Sequence, residues 1–155
     1  MRTGTVVWNQ RREDLTHEAE GAVYLVEGSV RSDGLSGSFT LVEEICFRHQ
    51  TGTGLSAWGD DPLIERCTVT GNAGHGVYLR DTGSPTIGDS EVSDNGTGIY
   101  VEGTSIPTLE GNTVTGNSAW GVYFTSGPSA PVLSGNTVTG NLRGGMIPAS
   151  AVANA

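Results

Sequence analysis

Lysine is absent from this chain of 155 residues, and all eight basic residues are arginines. Seventeen Asp and Glu residues stand against them, so the formal net charge is -9 at pH 7. This charge repels phosphate groups and other polyanions, and no basic stripe offsets it. We therefore expect no nucleic-acid partner, no binding to anionic membranes and no polyanionic sugar as ligand.

Long apolar runs are absent too. No window holds the roughly 18 consecutive apolar residues that a transmembrane helix needs. The opening residues 1–5 are not followed by the apolar segment of a signal peptide. We expect a soluble chain without a signal peptide of its own.

Metal-ligating residues are few and scattered. Cys46 and Cys67 are the only cysteines, and they are too few and too widely spaced for a zinc framework. Their redox state and the compartment stay open. The three histidines, His17, His49 and His75, are spread along the chain, so we expect no metal centre built on them.

Glycine is abundant, with 24 residues, while hydrophobic residues make up only 35% of the chain. Glycine is costly inside helices and favourable in tight turns, so this composition predicts many turns and little helix. The length suits one domain with one continuous core.

An internal repeat runs through the second half of the chain. Prolines recur at intervals of 23, 22 and 24 residues, and asparagines recur at the same intervals. A glycine series marks one further, earlier copy. The members of these three series are Pro62, Pro85, Pro107 and Pro131; Asn72, Asn95, Asn117 and Asn141; and Gly54, Gly76, Gly98, Gly121 and Gly145.

Within each copy, short alternating apolar runs are broken by Gly-Asn, which predicts strands and turns. A coil that completes one circuit per repeat would pair each strand in parallel with its counterpart one coil away. Stacking then turns equivalent positions into rows, and no copy can bury its apolar face alone. The predicted inward rows are Ile64, Ile87, Leu109 and Leu133; Val69, Val92, Val114 and Val138; and Val77, Ile99, Val122 and Met146.

Two polar rows accompany the apolar ones. Asn72, Asn95, Asn117 and Asn141 are expected at a turn, in the left-handed conformation, each hydrogen-bonded to its counterpart one coil away. The second row reads Cys67, Ser90, Asn112 and Asn136.

The repeat pattern P-x-[IL]-x-x-N-x-V-x-G-N, followed by G-[VI]-Y-[LVF], resembles the right-handed parallel β-helix family. That family includes pectate lyases, polygalacturonases, mannuronan epimerases, phage tailspikes and periplasmic copper-maturation proteins. The resemblance covers residues 54–147. It implies an all-β, single-stranded parallel solenoid of about five to seven coils of roughly 22 to 24 residues. It also implies an extracellular or periplasmic location.

We expect one domain in three parts. Opening strands and a capping coil occupy residues 1–53, the repeats occupy 54–148, and a tail or incomplete cap occupies 149–155. The stretches Tyr24–Gly28 and Ser38–Phe47 are similar to the strands that open such domains. All pairing between coils is predicted to be parallel.

The sets of catalytic residues that the resemblance implies are incomplete in this sequence. Polygalacturonases, as the resemblance implies, use an Asn-Thr-Asp motif, and this chain has valine in place of the acid in Asn112-Thr113-Val114. The remaining candidate is an acidic corner that would hold a cation such as calcium or a catalytic group. It consists of Asp60, Asp61, Arg80 and Asp81. A competing interpretation makes Arg80 an exposed ion pair with Glu102, one coil later.

The tyrosine row is the main candidate for ligand binding. Tyr78, Tyr100 and Tyr123 alternate with inward residues, so they are predicted to point outward as stacked rings. Such rings suit a sugar or a protein partner, and they also suit plain packing across the strands. The sequence favours a non-catalytic module that binds a polysaccharide or a protein surface, with no cofactor.

Two alternatives remain open. One is a fragment of a polysaccharide lyase or glycoside hydrolase. The other is a structural protein that assembles end to end, because Pro148 ends the last repeat strand and the small residues after it cover the terminal coil poorly. On that interpretation the chain forms homo-oligomers through its C-terminal end.

Overall fold

The computed structural model describes residues 6–8, 22–31, 34–43, 46–48, 52–59, 61–103, 105–125 and 131–147. In the strands up to Arg48, and at Met146 and Ile147, it describes the backbone, with the side chain of Val42 in addition. These residues form strands joined by short turns, and no helix occurs among them.

Five strands precede the regular repeats: β1 (Val6–Trp8), β2 (Ala22–Arg31), β3 (Gly34–Glu43), β4 (Cys46–Arg48) and β5 (Leu55–Trp58). Six strands make the next two coils: β6 (Leu63–Glu65), β7 (Thr68–Thr70), β8 (Val77–Arg80), β9 (Thr86–Gly88), β10 (Glu91–Ser93) and β11 (Ile99–Glu102). The last six are β12 (Thr108–Glu110), β13 (Thr113–Thr115), β14 (Trp120–Phe124), β15 (Val132–Ser134), β16 (Thr137–Thr139) and β17 (Gly144–Ile147).

Strands β6 to β17 wind into four full coils of three strands each, which stack into three walls. One wall runs β3-β6-β9-β12-β15, the second β4-β7-β10-β13-β16, and the third β3-β5-β8-β11-β14-β17. Every pairing within these walls is parallel. The predicted all-β parallel solenoid is confirmed, with four coils rather than five to seven.

The predicted repeat register is confirmed. Ile87 pairs with Leu109, and Val92 pairs with Val114, so equivalent apolar residues lie one above another. Val77, Ile99 and Val122 form the third row, and all of these side chains are at most 1% exposed. Alternate side chains of a strand point inward, and the strands of the four coils have only three to five residues, so the core is a single column along the solenoid.

The N-terminal strands pair differently from those of the coils. β1 pairs with β2, and β2 with β3, in antiparallel fashion. The C-terminal half of β3 then pairs with β6 in parallel, while its N-terminal half pairs with β5. A hairpin of two ten-residue strands, β2 and β3, thus takes the place of a regular coil. The number of coils is lower than predicted for this reason. Pro148 and residues 149–155 lie outside the described residues.

Buried asparagines join the coils from inside. The backbone N–H and the side-chain Nδ2 of Asn95 both donate to Oδ1 of Asn117, at 2.9 and 3.2 Å. Asn95 Nδ2 also donates to the carbonyl of Val69 in the coil before, at 2.9 Å. The same pattern repeats along Asn72, Asn95, Asn117 and Asn141, which we call the asparagine ladder.

The prediction that these asparagines are left-handed is wrong. The left-handed residue is the one before each asparagine, and a positive φ there turns the chain so that the amide points inward. These residues are Gly71, Asp94, Gly116 and Gly140, with φ between 53 and 68°. The second polar row is linked in the same way through Ser90 and Asn112, whose oxygens accept from backbone N–H groups one coil earlier.

One row of the repeat consists of glycines because most of its positions leave no space for a side chain. Its members are Gly54, Gly76, Gly98, Gly121 and Gly145. A Cβ added at Gly98 would lie 2.5 Å from the carbonyl oxygen of Gly121 and 2.7 Å from Cγ1 of Val114. Gly145, in the last coil, has its nearest such contacts at 3.4 and 3.7 Å. The inner coils therefore require glycine at this corner because the chain passes against the valine row and the asparagine ladder.

We expect Gly98→Ala to lower the free energy of unfolding by about 1 to 3 kcal/mol, the usual cost of overpacking. Gly145→Ala, in the same row, is the matched control and should change it by less than about 0.5 kcal/mol. Urea unfolding followed by circular dichroism measures both. Equal losses in the two variants would show that close packing is not the reason for the row.

Candidate functional site

Three tyrosines form an outward row on the third wall. Tyr78, Tyr100 and Tyr123 occupy equivalent positions in β8, β11 and β14, and each is half-buried. Their neighbours along each strand point into the core, so strand alternation alone turns the rings outward. We call these three residues the aromatic row.

The rings of the aromatic row stack on one another. Neighbouring centroids are 5.4 Å apart, and the ring planes are within 9° of parallel. The predicted stack is present, and its geometry has a consequence for binding. The face of each ring is turned toward the next tyrosine, so the row presents ring edges and hydroxyl groups to solvent.

Two further aromatic side chains extend the row along one side. The His75 ring lies 4.2 Å from that of Tyr100 and is nearly parallel to it. The Trp120 ring lies 6.1 Å from that of Tyr123 at 41° and packs over Gly144. The sequence row His75, Thr97, Trp120 and Gly144 gives no such signal, because its members differ in chemistry. Their aromatic partners belong to the row beside it.

His75 has an unusual environment for a polar ring. Its Nδ1 atom is buried and has no hydrogen-bond partner among the described residues, although the side chain as a whole is half-buried. Burial lowers the pKa of His75 below its ordinary value of 6.5, because the charged imidazolium loses water there. The imidazole therefore stacks as a neutral ring near neutral pH.

Polar side chains border the aromatic row on its other side. The hydroxyl of Tyr78 donates to Oε2 of Glu102. Arg80 pairs in register with Glu102, but its guanidinium lies 5.9 Å from the ring centroid of Trp58 instead. The expected ion pair between Arg80 and Glu102 is not formed. Arg80 stacks on the coil before it, and Glu102 is engaged by a tyrosine.

The acidic corner is only partly described, since Asp60 lies outside the described residues. Asp61 is exposed, and its Oδ1 accepts a hydrogen bond from the backbone N–H of Ser84 at 2.6 Å. Asp81 is exposed at the turn that follows β8, with a φ of 50°. In the part of the chain that the structure describes, no three His, Cys, Asp or Glu side chains group to hold a metal ion. A calcium site or a catalytic role that includes Asp60 stays a prediction.

Cys67 is buried, and its Sγ donates a hydrogen bond to the carbonyl oxygen of Glu65 at 3.4 Å. Its place in the second polar row is structural, because its backbone N–H donates to Oγ of Ser90. No helix among the described residues is long and apolar enough to cross a membrane.

Comparison with protein-family models matches residues 15–154 to the family described as "Right handed beta helix region". The chain belongs to the right-handed β-helix family. The match covers all four coils, and it confirms both the resemblance and the handedness that the repeat predicts. Neither the curated proteins nor the solved structures include a significant match.

The environment of His75 predicts a pH-dependent stability. Its pKa in the folded protein lies below that of the unfolded chain, so its contribution is fully present above about pH 6.5 and is lost as pH falls through the folded-state pKa. His75→Phe keeps a ring in the stack and cannot be protonated. We expect the wild type to lose stability relative to this variant as the pH is lowered.

Urea unfolding at a series of pH values measures the difference in the free energy of unfolding between the wild type and His75→Phe. The carboxyl groups are the same in both proteins, so their effects cancel in this difference. A stability difference that stays constant with pH would show that His75 is equally easy to protonate in the folded and unfolded chains.

Proposed function

We propose that this β-helix domain is a non-catalytic binding module that holds a linear, neutral polysaccharide along its aromatic row. The supporting observation is the continuous aromatic surface itself. Five rings from successive strands of one wall lie in contact on one side of the solenoid: His75, Tyr78, Tyr100, Trp120 and Tyr123.

Periodicity favours a polymer over a small ligand. The tyrosine centroids repeat every 5.4 Å along the stack, once per coil. This spacing is close to the length of one sugar residue in an extended chain, so a linear polysaccharide can offer one unit to each coil. Trp120 and the ring edges supply apolar contact, while the tyrosine hydroxyls, Glu102 and Arg80 can exchange hydrogen bonds with sugar hydroxyls.

Charge favours a neutral polymer. The chain carries a net charge of -9, and Glu102 lies beside the aromatic row, so a polyanionic sugar would be repelled. Binding is favoured over catalysis because glycoside hydrolysis requires two carboxyl groups at a controlled separation. Asp61 accepts a hydrogen bond from the backbone N–H of Ser84, on the turn after β8, and no second carboxyl group is described as paired with it there.

We also propose that the protein works outside the cytoplasm, in the extracellular space or the periplasm, where structural polysaccharides occur. Fractionation of the source cells would detect it in the cytoplasm if this is wrong.

We expect Tyr100→Ala to weaken retention on an insoluble neutral polysaccharide, such as cellulose, mannan or xylan, roughly three- to tenfold, the range of one aromatic contact. Thr108→Ala is the matched control, because Thr108 is a half-buried outward residue on another wall. The midpoint of thermal unfolding should stay within a few degrees in both variants.

Affinity electrophoresis against a panel of polysaccharides measures retention. Unchanged retention of Tyr100→Ala together with a large loss of stability would show that the tyrosines serve to pack the strands and do not bind a ligand. Absence of retention on every polymer of the panel would contradict the proposal.

A second candidate function, assembly of copies end to end, is supported by the last coil. Val138 is half-buried, whereas its counterpart Val114 is 1% exposed. Leu133, the last member of its row, is 8% exposed, against 1% for Leu109. The apolar rows are therefore less covered at this end than in the middle, and such a surface attracts a further layer.

If copies assemble there, the apparent mass of the wild type in light scattering should rise with concentration. Val138→Lys should suppress the rise, because it places a charge at the end of an apolar row. Thr137→Lys, at an exposed outward position of the same strand, should not. A wild type that stays monomeric at high concentration would exclude this function.

A further inference from the structure

His75 lies closer to Tyr100 than the tyrosines lie to one another. The imidazole centroid is 4.2 Å from that of Tyr100, against 5.4 Å between Tyr78 and Tyr100. His75 and Tyr78 belong to the same coil, and their centroids are 5.5 Å apart. The imidazole therefore lies beside Tyr78, and the two rings share the face of Tyr100 that is turned toward that coil.

This position suits a neutral imidazole and no other form. The buried Nδ1 has no hydrogen-bond partner among the described residues. Protonation would turn Nδ1 into a second N–H donor that has no acceptor there, which is costly in a buried place. Outside the stack, water would satisfy that donor.

The groups around His75 offer no fixed compensation for a positive charge. The titratable groups stacked against it are Tyr78 of β8 and Tyr100 of β11. The nearest carboxylate on these strands, that of Glu102, already accepts from the hydroxyl of Tyr78, and Arg80 adds a positive charge on β8. Attraction between an imidazolium and the tyrosine rings opposes its release, and the cost of the buried donor without an acceptor favours it.

We propose that His75 is a pH-operated plug on the aromatic row: the neutral imidazole covers part of a face of Tyr100, and the imidazolium leaves it and opens a subsite that takes one sugar ring by stacking. This inference rests on the proposed function, because it regulates the same surface. Release of His75 provides what the aromatic row otherwise lacks, a part of a ring face beside Tyr78 that a ligand can reach. Binding is then stronger in mildly acidic surroundings.

A comparison of the wild type with His75→Ala and His75→Phe distinguishes the plug from other effects of pH. His75→Ala leaves this part of the face of Tyr100 open at every pH, and His75→Phe covers it at every pH. Any response that comes from Glu102 or another carboxyl group is retained in both variants. Retention on the neutral polysaccharide that binds best is measured between about pH 8 and about pH 5, the range in which histidines titrate.

We expect wild-type retention to rise at least about threefold on acidification, the effect of one aromatic contact. His75→Ala should show the higher retention at both pH values, and His75→Phe the lower. Wild-type retention that is independent of pH, or that changes in parallel with His75→Phe, would overturn the plug.

A readout without ligand keeps the plug testable even if no polysaccharide binds. The ring proton shifts of Tyr100, followed by NMR, should change in step with the titration of His75 and reach the values of His75→Ala. If they do so while neither the wild type nor His75→Ala retains any polymer, the pH-dependent release of His75 stands, and the proposed function fails together with the sugar subsite. If His75 titrates and the Tyr100 shifts do not follow, the imidazolium stays stacked and the plug fails.

Discussion

An amide buried inside a coil has no water to bond with, so its partners must lie in the adjoining coils. Asn95 meets this demand with Oδ1 accepting from the coil before, and Nδ2 donating both to that coil and to the next. These bonds form only if successive asparagines stand one above another. The ladder thereby ties every coil to a common register, and a shift of one residue in any coil would leave amides unpaired on two levels.

Other features of the solenoid follow from that register. The left-handed residue before each asparagine turns the amide inward. At Gly98 the backbone passes so close to Asn117 and Val114 of the next coil that there is no room for a Cβ. Tyr78, Tyr100 and Tyr123 stack for the same reason, since equal positions of successive coils coincide. The alignment that stabilises the core thus produces the aromatic surface on the outside.

The sequence was sufficient for the repeat and its rows, because each copy carries the same chemistry at the same interval and stacking multiplies the signal. Ile87 over Leu109 and Asn95 over Asn117 were predictable for this reason. The antiparallel pairing of β2 with β3 was not, because the hairpin that they form has no counterpart later in the chain.

The side-chain contacts of the candidate site were harder to predict. Register placed Arg80 beside Glu102, yet which neighbour a long exposed side chain contacts depends on small differences, and Trp58 and Tyr78 offered alternatives. The contacts of His75 and Trp120 with the aromatic row were not predicted, because these two side chains belong to a neighbouring row of the repeat. Sequence periodicity identifies what lies above and below a residue, and it says little about what lies beside it.

The asparagine ladder also has a direction. In every step Oδ1 is turned toward the N-terminal side and accepts from the asparagine of the coil before, while Nδ2 donates to Oδ1 of the next coil and to a backbone carbonyl of the coil before. The side-chain carbonyl groups are therefore aligned along the solenoid. A coil can follow another only in the same orientation, since a reversed coil would set like groups against each other and leave buried amides unpaired.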